Sequence, residues 1–304
     1  MSNENALVVK DNRLIEASYR LDLSEQRLIL MAIVEARETN PITAETLLKV
    51  TAVDYAETCG LDRDVAYRQL RDATDSLLGR MVHLRGIDAE TRKEAIIKTR
   101  WVSSATYVER GGLVRIQLAP MIIPYITELQ SCFTSYELKN VAQMTSSYAI
   151  RLYELLAQYK TIGERYMPLD QIKEALGATE KSYDRMDNFK RNVLKIALAQ
   201  INSLTDLSVT CTDRKAGRAV IGFDFEIVKR PTAAKESPLP KKTVKPVKQN
   251  PTVSIGLSLS EKSMLKQLAA KTGKSEADIL ADAGATGKDL FLALDEMIRA
   301  VGMV

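Results

Sequence analysis

The apolar residues of this chain gather into two stretches of helical spacing, and each stretch is followed by the same succession of shorter elements. Residues 23–37 hold Leu28, Ile29, Met31, Ile33 and Val34. These are too many apolar groups for one face, so the spacing predicts a helix buried on most sides, with Ser24 as its N-cap. A short strand over 47–50 leads to a brief helix over 52–59 ended by Gly60, then to a longer helix over 62–78 ended by Gly79. Ala66, Leu70, Ala73 and Leu77, spaced four, three and four, form the inward stripe of the longer helix. The runs 101–108 and 113–118, on either side of Glu109-Arg110-Gly111-Gly112, predict a hairpin.

The order then repeats. Ser147 is the expected cap of a helix over 148–159 whose inward residues are Ala149, Leu152, Leu155, Leu156 and Tyr159. An extended piece at 166–168 precedes a brief helix over 169–176, which Gly177 ends. A long helix over 183–202 follows, with Met186, Phe189, Val193 and Ile196 as its apolar stripe. Strands over 207–212 and 219–228 close the unit; Phe223, Phe225 and Ile227 alternate in the second. Helix, short helix, long helix and hairpin is the order of a winged helix-turn-helix. Its double appearance predicts an α+β chain of two tandem winged-helix domains, residues 1–130 and 131–230.

The pattern changes after residue 230. Five prolines between Pro231 and Pro251 alternate with Lys235, Lys241, Lys242, Lys245 and Lys248, so 231–254 reads as a flexible basic linker. Residues 255–304 read as a small helical accessory segment, with Ser260 capping a helix through Leu268, Ser275 one through Ala283, and a third near Gly287. A chain of 304 residues is long enough for two cores. No apolar run approaches the roughly 20 residues of a membrane span. The N-terminus has no basic and apolar signal pattern, and Cys59, Cys132 and Cys211 lie far apart without metal spacing. A cytoplasmic protein is expected.

Enzyme chemistry lacks its usual inventory. His83 is the single histidine, which excludes a two-histidine metal site, and neither a Walker A motif nor a glycine-rich dinucleotide fingerprint occurs. We therefore expect a non-enzymatic protein without cofactor or metal. The net charge of +4 says little, but residues 181–230 carry 10 basic against 6 acidic groups. A local basic face is what a phosphate backbone requires.

In the second long helix Arg185, Asn188, Asn192, Lys195 and Asn202 lie opposite the apolar stripe, with Lys190 and Arg191 beside them. Arginine pairs with guanine and asparagine with adenine in the major groove, and the N-terminal turns of a recognition helix contact the bases. Arg214, Lys215 and Arg218 in the following loop suit phosphates. A solvated helix face with a basic loop accounts for the same residues. On the first long helix Arg63, Tyr67, Arg68 and Arg71 face outward, but Asp72 and Asp75 stand four residues after the last two arginines and predict ion pairs there. Phosphate positioning is the expected role of that helix. A dimeric repressor, whose first unit serves only for association, fits these residues as well.

Three strings carry a resemblance to a known family. NRLIEASYRLDLSEQRLIL (Asn12 to Leu30), SSYAIRLYELLAQY (Ser146 to Tyr159) and YDRMDNFKRNVLKIALAQIN (Tyr183 to Asn202) resemble the initiator (Rep) proteins of iteron-containing bacterial plasmids, over roughly residues 7–230. The resemblance implies a protein that binds tandem direct repeats in double-stranded origin DNA as a monomer. It also implies opening of an adjacent AT-rich region and recruitment of the host initiator and replicative helicase. Self-association through the first domain and repression of its own gene are further implications. It carries Arg185, Asn188, Lys190 and Arg191 over as major-groove contacts, with Arg68 and Arg71 contacting DNA from the first domain.

Overall fold

In a computed structural model of the protein the described residues are 6–39, 41–87, 90–109, 111–127, 129, 132–230, 272, 275, 278 and 279. They belong to two units, 1–234 and 235–304. In the second, the Asp278 N–H donates to Ser275 Oγ at 3.2 Å and the Ile279 N–H to the Ser275 carbonyl at 3.1 Å, the bonds of an N-cap. The linker expected over 231–254, the helix begun by Ser260 and the helix near Gly287 lie outside the described residues.

The first unit opens with β1 (Leu7–Asp11), α1 (Asn12–Glu16) and β2 (Ser18–Tyr19), then α2 (Leu23–Glu38), β3 (Leu48–Thr51), α3 (Ala52–Cys59) and α4 (Arg63–Leu77). Four strands follow: β4 (Met81–Ile87), β5 (Glu94–Arg100), β6 (Val102–Val108) and β7 (Leu113–Leu118). The short α5 (Pro124–Thr127), β8 (Phe133–Glu137) and α6 (Lys139–Ala142) lead to α7 (Ser147–Ala157), β9 (Glu164–Pro168) and α8 (Leu169–Leu176). A long helix, α9, spans 186–204 and is followed by β10 (Leu207–Ala216) and β11 (Ala219–Lys229).

Both predicted winged helices are present. In the first, α2 packs on α4 and β3, and β6 and β7 form the wing, with β7 also pairing with β3. Leu28 through Val34 of α2 are all buried, as their crowding demands. The cap differs from expectation. Asp22, not Ser24, receives the Glu25 N–H at 2.9 Å, while the Glu25 carboxylate takes the Asp22 N–H at 2.8 Å. A carboxylate matches the helix dipole better than a hydroxyl, and Ser24 only donates to Asp22. Ala66, Leu70, Ala73 and Leu77 of α4 are fully buried, as their spacing requires. Gly60 and Gly177 end the two short helices in the left-handed conformation, at φ of +64° and +68°.

In the second winged helix β11 lies between β10 and β9, and Phe223, Phe225 and Ile227 turn inward against α8 and α9. Ser147 is not the cap of α7. That helix begins at Ser147 after Ser146, and the preceding N–H groups of Thr145 and Ser146 donate to Gln200 Oε1 of α9 at 2.8 and 3.3 Å. Two features carry no counterpart in the expected order. The hairpin β4–β5 adds to β2 as a separate sheet, and β8 pairs with β1, so the expected boundary at residue 130 has paired strands on its two sides.

The two winged helices are joined by a buried charge cluster. Glu154 of α7 accepts from Lys10 Nζ of β1 at 2.6 Å, from Tyr136 Oη of β8 at 2.5 Å and from Arg151 at 3.0 Å, and both charged ends of the Lys10–Glu154 pair are at most 1% exposed. Arg151 also donates to the carbonyls of Ile15, Ala17 and Ala175 and lies 3.9 Å from the Tyr19 ring centroid, which itself meets Trp101 edge-on. Burial pushes the Tyr19 and Tyr136 hydroxyls above the ordinary tyrosine range, so both remain donors. Nearer the surface Arg165 pairs with Glu16 at 2.8 Å, and Arg20 pairs with Glu180. Residues of β1, α1 and β2 thus hold α7 and α8 in one orientation.

Candidate nucleic-acid interface

Helix α9 departs from the regular helix that its sequence predicts. It begins at Met186, with Arg185 as the extended residue before it, while Lys181–Asp184 form a separate 3-10 turn. Lys190–Leu194 make a π turn, in which the Lys195 N–H donates to the Lys190 carbonyl, and the α-helix resumes over Lys195–Leu204. The widened turn inserts one residue into the helical period. As a result Val193 and Leu194 are both buried, the core stripe continues through Ala197 and Ile201, and Ile196 leaves it with 42% exposure. Regular spacing had placed Ile196 inside.

The turn also decides which polar groups look outward. Arg191, Asn192 and Lys195 are exposed, and Asn188 is half-buried. Arg191 Nη2 donates to Asn188 Oδ1 at 3.1 Å and its Nε to Asn192 Oδ1 at 3.4 Å, so these three form one outward cluster. Arg185 is exposed and paired with Asp187 at 3.0 Å. Asn202, expected on the same face, is instead tied to β10: its amide accepts from the Val209 N–H at 2.6 Å and donates to the Val209 carbonyl at 2.8 Å.

Lys190 and Arg214 are also committed within the protein. Lys190 Nζ pairs with Asp213 of β10 and lies 5.8 Å from the Phe223 ring centroid. It anchors the start of the π turn to β10. Arg214 pairs with Asp224 across the two strands, at 2.9 Å from Nε, and stacks 4.0 Å from the Tyr166 ring centroid. Packing of α9 on β10 sets Asp213 beside Lys190, and pairing of β10 with β11 brings Asp224 diagonally across from Arg214, which spacing along the chain does not reveal. Lys215 and Arg218, on either side of Gly217 at the wing tip, are exposed and form no ion pair among the described residues.

If Lys190 acts by holding the wing, it should be energetically coupled to Asp213. A double-mutant cycle with Lys190→Ala and Asp213→Ala in urea unfolding is expected to give a coupling of about 0.5–1 kcal/mol, the size of a half-exposed ion pair. Additive effects would show that the pair contributes no anchoring.

On α4, Arg63, Arg68 and Arg71 are all exposed. The expected pairs four residues apart do not form. Arg68 Nε bonds the Asp64 carbonyl at 3.4 Å, and Arg71 approaches only the adjacent Asp72 at 3.6 Å. The arginines therefore keep their outward direction. Tyr67, beside them, fills the space over Gly112 in the β6–β7 turn and ties the helix to its wing. His83, on the outer face of β4, is exposed. Among the described residues no cluster of histidine, cysteine and carboxylate groups is arranged to hold a metal, and no helix is long and apolar enough to cross a membrane.

Two winged helices in one compact unit, each turning arginines of its long helix outward beside a wing, define a tandem winged-helix DNA-binding protein. Comparison with known proteins narrows the class. Residues 7–157 match the first winged-helix domain (WH1) of initiator replication proteins, and residues 168–227 match the second (WH2) of initiator Rep proteins. The chain belongs to the initiator Rep family of replication proteins. It is similar to the PI protein of Escherichia coli, at 25% identity over 258 residues, covering 74% of this chain and 84% of that one. A replication initiation protein of Escherichia coli is also 25% identical, over 73% of this chain and 70% of its own. Among solved structures, the Pi initiator protein in complex with iteron DNA matches with a TM-score of 0.64 at 25% identity, over 75% of this chain and 99% of that chain.

Proposed function

We propose that this protein initiates replication of a bacterial plasmid by binding direct repeats, iterons, in duplex origin DNA. The observation that carries this reading is the joining of two winged helices in one compact unit of a chain of the initiator Rep family. A buried cluster around Glu154 ties β1 and β8 to α7, which supports one chain engaging two successive major grooves on one side of the duplex. Arg191, Asn188 and Asn192 read base edges, Arg185 and Lys195 flank them, and Lys215 and Arg218 grip phosphates beside the groove. Arg63, Arg68 and Arg71 position the first unit on the backbone.

The protein acts without catalysis, in the cytoplasm. Its binding promotes opening of adjacent AT-rich DNA and recruits the host initiator and replicative helicase. As a dimer it represses its own gene. The linker and C-terminal segment have no assigned part in this reading.

The test is selection of bound duplexes from a random DNA pool, with gel shifts to count chains per site. One chain on an asymmetric site of about 20 bp, two helical turns, is the expected result. Binding only as two chains on a palindrome would replace the initiator with a repressor, and an unenriched pool would overturn DNA reading altogether.

A further inference from the structure

We infer that Ile196 is a specificity-determining residue that reads thymine through its C5-methyl group, an apolar contact on an otherwise polar reading surface; this rests on the DNA-reading role proposed above.

The inference starts from the π turn at Lys190–Leu194. In a regular helix Ile196 would continue the stripe of Phe189 and Val193 into the core. The inserted residue carries that task over to Leu194, Ala197 and Ile201, all buried, and turns Ile196 out to 42% exposure. Its new position is not arbitrary. Arg191, Asn192 and Lys195 are exposed on the same outward side of the helix. Further along, the half-buried Gln200 is engaged with Thr145 and Ser146 at the start of α7. Ile196 therefore lies between the exposed polar groups and the point where the helix meets α7.

A branched apolar side chain at this place has one matching group among the base edges of the major groove. Guanine, cytosine and adenine present donors and acceptors there, whereas thymine alone adds a methyl group. Packing a methyl against Ile196 removes apolar surface of both from water, an effect worth about a fourfold change in affinity for a group of that size. The same contact disfavours cytosine, which carries hydrogen in place of the methyl. The recognition helix thus combines a hydrogen-bonding first half, at Asn188, Arg191 and Asn192, with an apolar reader four residues further along the chain.

The experiment uses the full chain and the duplex recovered by selection. Each thymine of the site is replaced in turn by uracil, which removes the methyl and leaves every hydrogen-bonding group in place. For the unaltered protein, uracil at one or two positions is expected to lower affinity about fourfold. In Ile196→Ala the same replacements should have no effect, while Ile196→Val should keep part of it. Because Ile196 is exposed, the alanine variant should retain the circular dichroism and unfolding midpoint of the parent. An identical uracil profile in Ile196→Ala and the parent, or equal loss on thymine and uracil sites, would overturn the assignment. If the parent selects a site that is insensitive to every uracil, only the methyl contact falls; if no site is selected, the DNA-reading proposal falls with it.

Discussion

Replacing Glu154 by alanine is expected to destabilise the first unit by about 3–5 kcal/mol, the cost of removing the single partner of buried charge. Lys10 and Arg151 both bond to this carboxylate, and all three side chains are at most 3% exposed. Without Glu154 two cations remain in a medium that cannot solvate them. Replacing Lys10 by methionine should cost much less, because Arg151 and Glu154 then form a balanced pair and Arg151 keeps its three carbonyl acceptors. Urea unfolding of the two variants checks the contrast, and equal losses would show that the charge balance is not what the cluster contributes. Acid should act in the same direction as the Glu154 substitution. Burial alone would raise the Glu154 pKa, but the charges of Lys10 and Arg151 outweigh it and hold the carboxylate below its ordinary value. Its stabilising contribution is present above the unfolded carboxylate pKa, about 4.3, and disappears as pH falls through the lower folded value.

The second large effect is expected at Arg191. Arg191→Ala should weaken binding to the selected site by about 1–3 kcal/mol and relax preference at one base pair, leaving affinity for unrelated DNA nearly unchanged. Its guanidinium donates to the side-chain oxygens of Asn188 and Asn192, so its loss removes a reader and releases both oxygens, while the Asn188 amide still donates to the Ser182 carbonyl at 3.1 Å. Lys215→Ala should behave differently, weakening all sequences alike and lowering the slope of log affinity against log salt by about one. Filter binding on specific and random duplexes at several salt concentrations separates the two. Matching behaviour of both variants would abolish the division between a reading helix and a gripping wing.

Much of this architecture was legible in the chain itself. The buried α2, the inward stripe of α4 at Ala66, Leu70, Ala73 and Leu77, and the glycine stops at Gly60 and Gly177 follow from local periodicity and backbone freedom, and each appears where its residues imply. The hairpin β4–β5 was harder to see, although Val82 and Leu84 are buried between the exposed His83 and Arg85. That alternation is short, and charged residues dilute it.

Contacts between distant residues decided the rest. Lys10 and Glu154 are 144 positions apart, and nothing in either neighbourhood announces that a lysine of the N-terminal strand will be buried against the second winged helix. Lys190 and Arg214 look like free cations until helix packing sets Asp213 beside the first and strand pairing sets Asp224 beside the second. The π turn is of the same kind. Local spacing favours an unbroken helix with Ile196 inside, whereas the widened turn at Lys190–Leu194 leaves Val193, Leu194, Ala197 and Ile201 in the core and Ile196 outside it. By itself the sequence determined the order of the principal helices and wings and that each long helix turns arginines outward, because those follow from the order of apolar and polar groups along the chain. Tertiary structure alone decided which side chains of those helices remain free to meet DNA and how the two winged helices are locked together, because both depend on charges and rings that only folding brings within a few ångströms.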